Sequence, residues 1–166
     1  MNICDILTLY DYNSWATRRI LTAAAGVSPE QFVAATAHSF GSLRGTLAHI
    51  LDAERGWRML CQHRTLASFG TTKEDDFPAF QVLEQHWIEE ERTMKDYLAR
   101  LTDNDLSEVV RYTLPEGQKR ERVLWHCLLH VVNHGTHHRS QAAAILKAYG
   151  HSPGGLDFTA FLNEQR

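Results

Sequence analysis

Residues 124–150, LWHCLLHVVNHGTHHRSQAAAILKAYG, hold five of the ten histidines in the chain. Four of them, His126, His130, His134 and His138, recur at every fourth position. In a helix a four-residue step turns about 400°, so successive histidines climb one turn and stay near one face. Two imidazoles one turn apart can close on a single metal ion, a geometry that suits zinc, nickel or iron. The competing reading is a helix that is histidine-rich on its solvated side.

The helical wheel separates the four. Taking His138 as the reference direction, Leu124, Cys127, Val131, Ala142, Ile145 and Tyr149 fall within roughly 40° of it and define a core face. His134 lies on the flank of that face, His130 at its margin about 80° away, and His126 about 120° away on the surface. His130 and His138 are separated by about 12 Å of helix rise, so no single ion uses the whole ladder. His134 and His138 are therefore the first candidate ligands, because two imidazoles on an apolar face need partners. Cys127 lies two turns before His134 and does not complete a closed cysteine-containing site; two histidines plus a ligand from elsewhere would leave a position open. Periodicity leaves the third ligand undecided among His38, His49, His63, His86, His151, Asp52 and Glu54.

These residues must be positioned by long helices. Apolar spacing predicts a first helix over residues 3–25 and a second from just after Ser42 to residue 61, with Leu43, Leu47, Ile50, Trp57 and Cys61 as its stripe. His49 sits about 100° from Ile50 and reads as a boundary residue. Ser28 and Pro29 cap a short turn through Phe32. Residues 62–77 read as a loop, and residues 78–101 as a third helix with Pro78 in its first turn and Glu89 to Arg92 as a solvated face. Residues 102–121 suggest a hairpin or irregular crossover. The histidine helix follows, closed by Gly150, and the tail ends in an apolar turn around Phe158, Phe161 and Leu162. The expected fold is an all-α four-helix bundle with a crossover connection, in a single domain over residues 1–166.

Composition excludes several classes. The formal net charge of -3 and the absence of a basic run give no footprint for nucleic acid. No apolar run has the length of a membrane span, and the start MNICDILTLYDYN lacks the basic-then-apolar pattern of a secretory signal. Three widely spaced cysteines, Cys4, Cys61 and Cys127, fit reduced thiols and a cytoplasmic location.

Three stretches together, YDYNSWATRRIL, GTLAHILDAERGW and HVVNHGTHHRSQAAAILKAYG, with the closing GHSPGGLDFTAFL, resemble the DinB/YfiT-like metalloenzyme family over nearly the whole chain. The resemblance implies a four-helix bundle of non-simple helix order, a homodimer, and one divalent metal held by three histidines. By position these are His49, His134 and His138; His49 rests on the resemblance alone. Ser140 departs from the glycine usual there. The resemblance further implies a transferase in which a metal-bound low-molecular-weight thiol, such as bacillithiol or mycothiol, meets an electrophile. A metal-dependent hydrolase and a non-catalytic metal-binding stress-response protein are the alternatives. Asp52 and Glu54 could accept from imidazole N–H groups. His137, Arg139 and Gln141 could orient ligands, although Arg139 and Gln141 read first as packing residues. Tyr10, Trp15 and Trp57 read as core aromatics.

Overall fold

The computed structural model describes residues 1–38, 40–66 and 69–165, so Ala67 and Ser68 of the expected 62–77 loop lie outside the described residues, as do Ser39 and Arg166. Helix α1 spans Ile3–Ala24 and begins with a reciprocal cap between Asn2 and Asp5. Helix α2, Pro29–Val33, starts from the Ser28 cap with proline in its first turn, as expected. Helix α3 spans Leu43–His63, with the Ser42 hydroxyl accepting from the Gly45 N–H. Helix α4, Phe80–Leu98, begins later than the sequence suggested and leaves Pro78 outside it. The short α5, Asp103–Leu106, precedes an antiparallel hairpin of β1, Val109–Thr113, and β2, Lys119–Val123, in which Val110 faces Arg122. Helix α6 is the histidine helix, Leu124–Ala148, and Gly150 follows it with a φ of 86°, the left-handed conformation that ends the helix without a Cβ clash. Helix α7, Phe158–Glu164, closes the chain against α1, where Phe161 meets the Tyr12 and Trp15 rings. Among the described residues no helix is long and apolar enough to cross a membrane.

The four long helices pack in the cyclic order α1, α6, α3, α4. The Tyr10 hydroxyl donates to the Leu128 carbonyl and Arg139 donates to Thr17, so α1 and α6 run parallel. His49 faces His134 while Trp57 faces His130, so α3 runs opposite to α6. Arg18 pairs with Glu91 while Leu7 and Leu98 flank one cavity, so α4 runs opposite to α1. It follows that α3 and α4 are parallel. Parallel neighbours cannot be joined by a tight turn, and the chain must travel back along the about 30 Å length of α3 before α4 can start. Residues 69–76 form a strap that runs back along α3. Its Phe69 ring stands edge-on to Trp57, the N–H groups of Gly70 and Thr72 donate to Asp52, and Glu74 accepts from Ser42 and Arg44. Residue numbers rise along this strap as they fall along α3.

The core is divided. One apolar cluster gathers Ile6, Tyr10, Leu60, Leu98, Leu128 and Val131, and another gathers Ile20, Leu47, Ile50, Leu83, Trp87 and Ile145. Between them lies a layer of buried polar side chains, Asn13, Thr17, Glu54, Arg58, Glu90 and Arg139. Among the described residues every buried side-chain nitrogen and oxygen has a partner, as burial requires. Glu90 corrects the expectation of a solvated 89–92 face. It lies three residues after Trp87 and four before Met94, on the inward side of α4, and binds Arg58 through two contacts of 2.5 and 2.7 Å.

Candidate metal centre

The histidine cluster forms where α3 and α6 cross at the level of the polar layer. The Nε2 atoms of His49 and His134 are 2.9 Å apart, and candidate ligand atoms of His49, His134 and His138 all lie within 4.8 Å of one another. Three converging imidazoles form a group that could hold a metal ion. His138 is buried on the core face and His134 half-buried on its flank, as the wheel places them. The Nδ1 of His138 is 2.8 Å from the Gln141 Oε1, which leaves Nε2 as its remaining ring nitrogen. Burial pushes the His49 imidazole down to about 4, helped by His138, and pushes His134 down to about 3, helped by its neighbouring imidazoles. Both are therefore neutral near pH 7, the form in which a ring nitrogen offers a lone pair.

Phe40 closes one side. Its ring stacks on His49 with centroids 3.7 Å apart and meets His138 edge-on at 5.1 Å. Gly45 permits this, because a Cβ there would sit 2.2 Å from the Phe40 carbonyl and lift the incoming chain off α3. The strap supplies the opposite wall, and a cavity of about 270 Å³ beside His49 is lined by Phe40, Ala48, Asp52, Gly70, Thr72 and Glu74.

The other candidates fall elsewhere. His63 and His86 are exposed, the latter beside Phe77, and His151 packs over Gly26. His126 is on the surface, while His130 is exposed with its ring against Trp57. His137 is exposed and touches only the edge of the cluster, at His138. Asp52 and Glu54 do not serve the imidazoles as acceptors in the expected way. Asp52 holds the strap, and Glu54 accepts from the Asn13 amide at 2.8 Å. Arg139 is the packing residue expected: only 2% exposed, it donates to Asn13, Thr17 and Thr136 and covers the Tyr12 ring. Gln141 is not merely packing, since it fixes the His138 ring; its position one turn after His138 was the available signal. Phe40 carried no sequence signal.

The profile of the DinB family matches residues 2–166. The chain belongs to the DinB family. It is 26% identical to Protein DinB of Bacillus subtilis (strain 168) over 163 residues, covering 93% of this chain and 91% of that protein. Its fold resembles the crystal structure of a DinB-like protein from Bacillus cereus ATCC 10987, with a TM-score of 0.71 at 17% identity, covering 93% of this chain and 97% of the other. Ser140, where the resemblance led to an expectation of glycine, is exposed and donates its hydroxyl to the His137 carbonyl at 2.6 Å.

The polar layer behind the DinB histidines is sensitive to pH through Glu54. Burial raises its carboxyl from 4.5 to about 7, against the opposing pull of Asn13 and Arg139. The native state then holds this proton more tightly than the unfolded chain, so the contribution of Glu54 to stability is lost as pH rises from about 4.5 to 7. Glu54→Gln keeps an acceptor for Asn13 and cannot ionise. Urea unfolding near pH 5 and pH 8 is expected to show the wild type losing stability relative to the variant as pH rises. A pH-independent difference between the two would contradict this.

Proposed function

We propose that His49, His134 and His138 bind one divalent metal ion, and that the chain is a metal-dependent thiol S-transferase. The convergence of three imidazoles carries the reading. Two nitrogens each about 2.0–2.1 Å from one ion lie about 2.9–3.4 Å apart at bond angles of 90–109°, and the His49–His134 separation of 2.9 Å fits that range. Three protein ligands leave room for an exchangeable one, and a divalent ion held there would lower the pKa of a bound thiol or water. Imidazole donors suit zinc, nickel and iron.

This chain's own residues supply orientation and shelter. Gln141 fixes the His138 ring so that Nε2 faces the cluster, Phe40 covers the His49 face, and the strap bounds the adjoining cavity. The transferase reading is favoured over hydrolysis because the wall carboxylates are already engaged. Asp52 accepts from Gly70 and Thr72, and Glu74 from Ser42 and Arg44, whereas activating water calls for an available base.

The test mixes metal-loaded protein, a panel of cysteine, glutathione, bacillithiol and mycothiol, and 1-chloro-2,4-dinitrobenzene. The S–C bond forms, chloride leaves and the thiol proton passes to solvent. Conjugation above the uncatalysed rate, lost on chelation, is the expected result. Metal-loaded protein that fails to accelerate the reaction with any of these thiols, yet melts far lower after chelation, would instead support a bracing, non-catalytic ion. Within the same scheme, Gln141→Leu is expected to weaken metal binding by about 10- to 100-fold, because the His138 ring loses its orienting acceptor. Competition against a chromophoric chelator measures this, and an unchanged affinity would remove Gln141 from the site.

A further inference from the structure

A second groove lies toward the hairpin, and His130 in its lining is one turn of α6 before His134. Trp57, Tyr112, Arg122, His126, Cys127 and His130 line a groove of about 480 Å³. Trp57, expected as a core aromatic, is only half-buried, its ring lying between the hairpin and α6 at the margin of the core. Its indole stands edge-on to Tyr112 with centroids 6.4 Å apart and lies 4.8 Å from the His130 ring. His130 in turn is 5.8 Å from the His134 ring. An aromatic path therefore runs from the hairpin to the edge of the histidine cluster.

The far end is cationic. Arg122 faces Val110 across the hairpin, and Val110 is fully buried, so this register turns Arg122 and Tyr112 to the side that covers α3 and α6. Among the described residues Arg122 has no ion-pair partner; its side chain donates to the Glu121 carbonyl, while the Glu121 carboxylate pairs with Arg111. His126 and Cys127 lie in the first turn of α6, whose partial positive end adds to the same field. From this turn to His134 the helix rises about 11 Å, which sets the length of a molecule spanning the two ends.

We propose that this groove binds a carboxylate-bearing organic substrate, its anionic end on Arg122, its flat apolar body on Trp57 and Tyr112, and its opposite end at the histidine cluster. The assignment deepens the transferase reading by naming a substrate class for that site. A guanidinium paired to a carboxylate and an indole beneath an apolar body are the usual means of holding such a molecule.

Calorimetric titration of naphthalene-2-carboxylate, and of the neutral naphthalene-2-carboxamide, into chain stripped of metal by a chelator tests this. The acid is expected to bind more tightly than the amide. Arg122→Gln should weaken the acid by about tenfold to a hundredfold and leave the amide unchanged. Arg122→Lys, at the same exposed position, should recover part of the loss, and Trp57→Leu should weaken both ligands. No measurable binding of the acid, equal binding of acid and amide, or an unaltered affinity in Arg122→Gln overturns the proposal. The titration needs no metal, so its failure leaves the metal reading standing, and failure of the metal reading leaves this binding measurable.

Discussion

His134→Ala is expected to empty the metal site while leaving the bundle folded. In zinc-finger sites about 10–16 kcal/mol of binding is spread over four ligands, so one ligand accounts for roughly 2.5–4 kcal/mol. Its loss is about two to three orders of magnitude in Kd. The wild-type chain should retain close to one equivalent of metal through purification and dialysis, and the variant very little. Folding should survive because His134 is half-buried, on the flank of the α6 face whose centre is held by Val131, His138 and Ile145. Elemental analysis beside circular dichroism checks both halves. Unchanged metal content in a folded variant would defeat the assignment of His134, and with it the three-histidine site.

Arg58→Ala is expected to destabilise the chain by about 3–5 kcal/mol, the usual cost of leaving one charge of a buried pair uncompensated. The pair is closed on both sides: the Arg58 and Glu90 side chains are 8% and 7% exposed, and the guanidinium meets both carboxylate oxygens. For a chain of this length that corresponds to a fall in Tm of roughly 6–20 °C. Arg58→Met with Glu90→Leu removes both charges and fills the space, and should recover most of the loss. Denaturant unfolding of the two single variants and the double variant closes the cycle. If Arg58→Ala costs less than about 1 kcal/mol, Glu90 finds another partner or reaches water, and the polar layer is not sealed. The pair also ties α4 to α3 in the parallel arrangement, so its loss should loosen the strap that runs beside them.

Much of the fold is legible because it is local. The Ser28 cap, the termination at Gly150 and the inward face of α6 depend on residues within a turn or two of one another. The same periodicity put His134 and His138 on one edge of the core. It also held information that the charge run obscured: Glu90 shares the inward face of α4 with Trp87 and Met94, and Gln141 lies one turn from His138. Both positions follow from the 3.6-residue repeat alone.

The rest was settled only by packing. His49 joins His134 across a sequence distance of 85 residues because α3 and α6 are neighbours in the bundle, although other helices separate them in sequence. His49 alone is a boundary residue, and its own helix says nothing about what it faces. The roles of Phe40, Asp52 and Trp57 arise likewise from the α1–α3 connection, the strap and the hairpin, segments without a repeating pattern to read. The sequence by itself determined which elements form and which face of each turns inward, since a helix repeats every 3.6 residues and that repeat is written in the chain. The tertiary structure decided which faces meet, because the order of helices around the bundle follows from the summed burial and polar pairing of all of them at once.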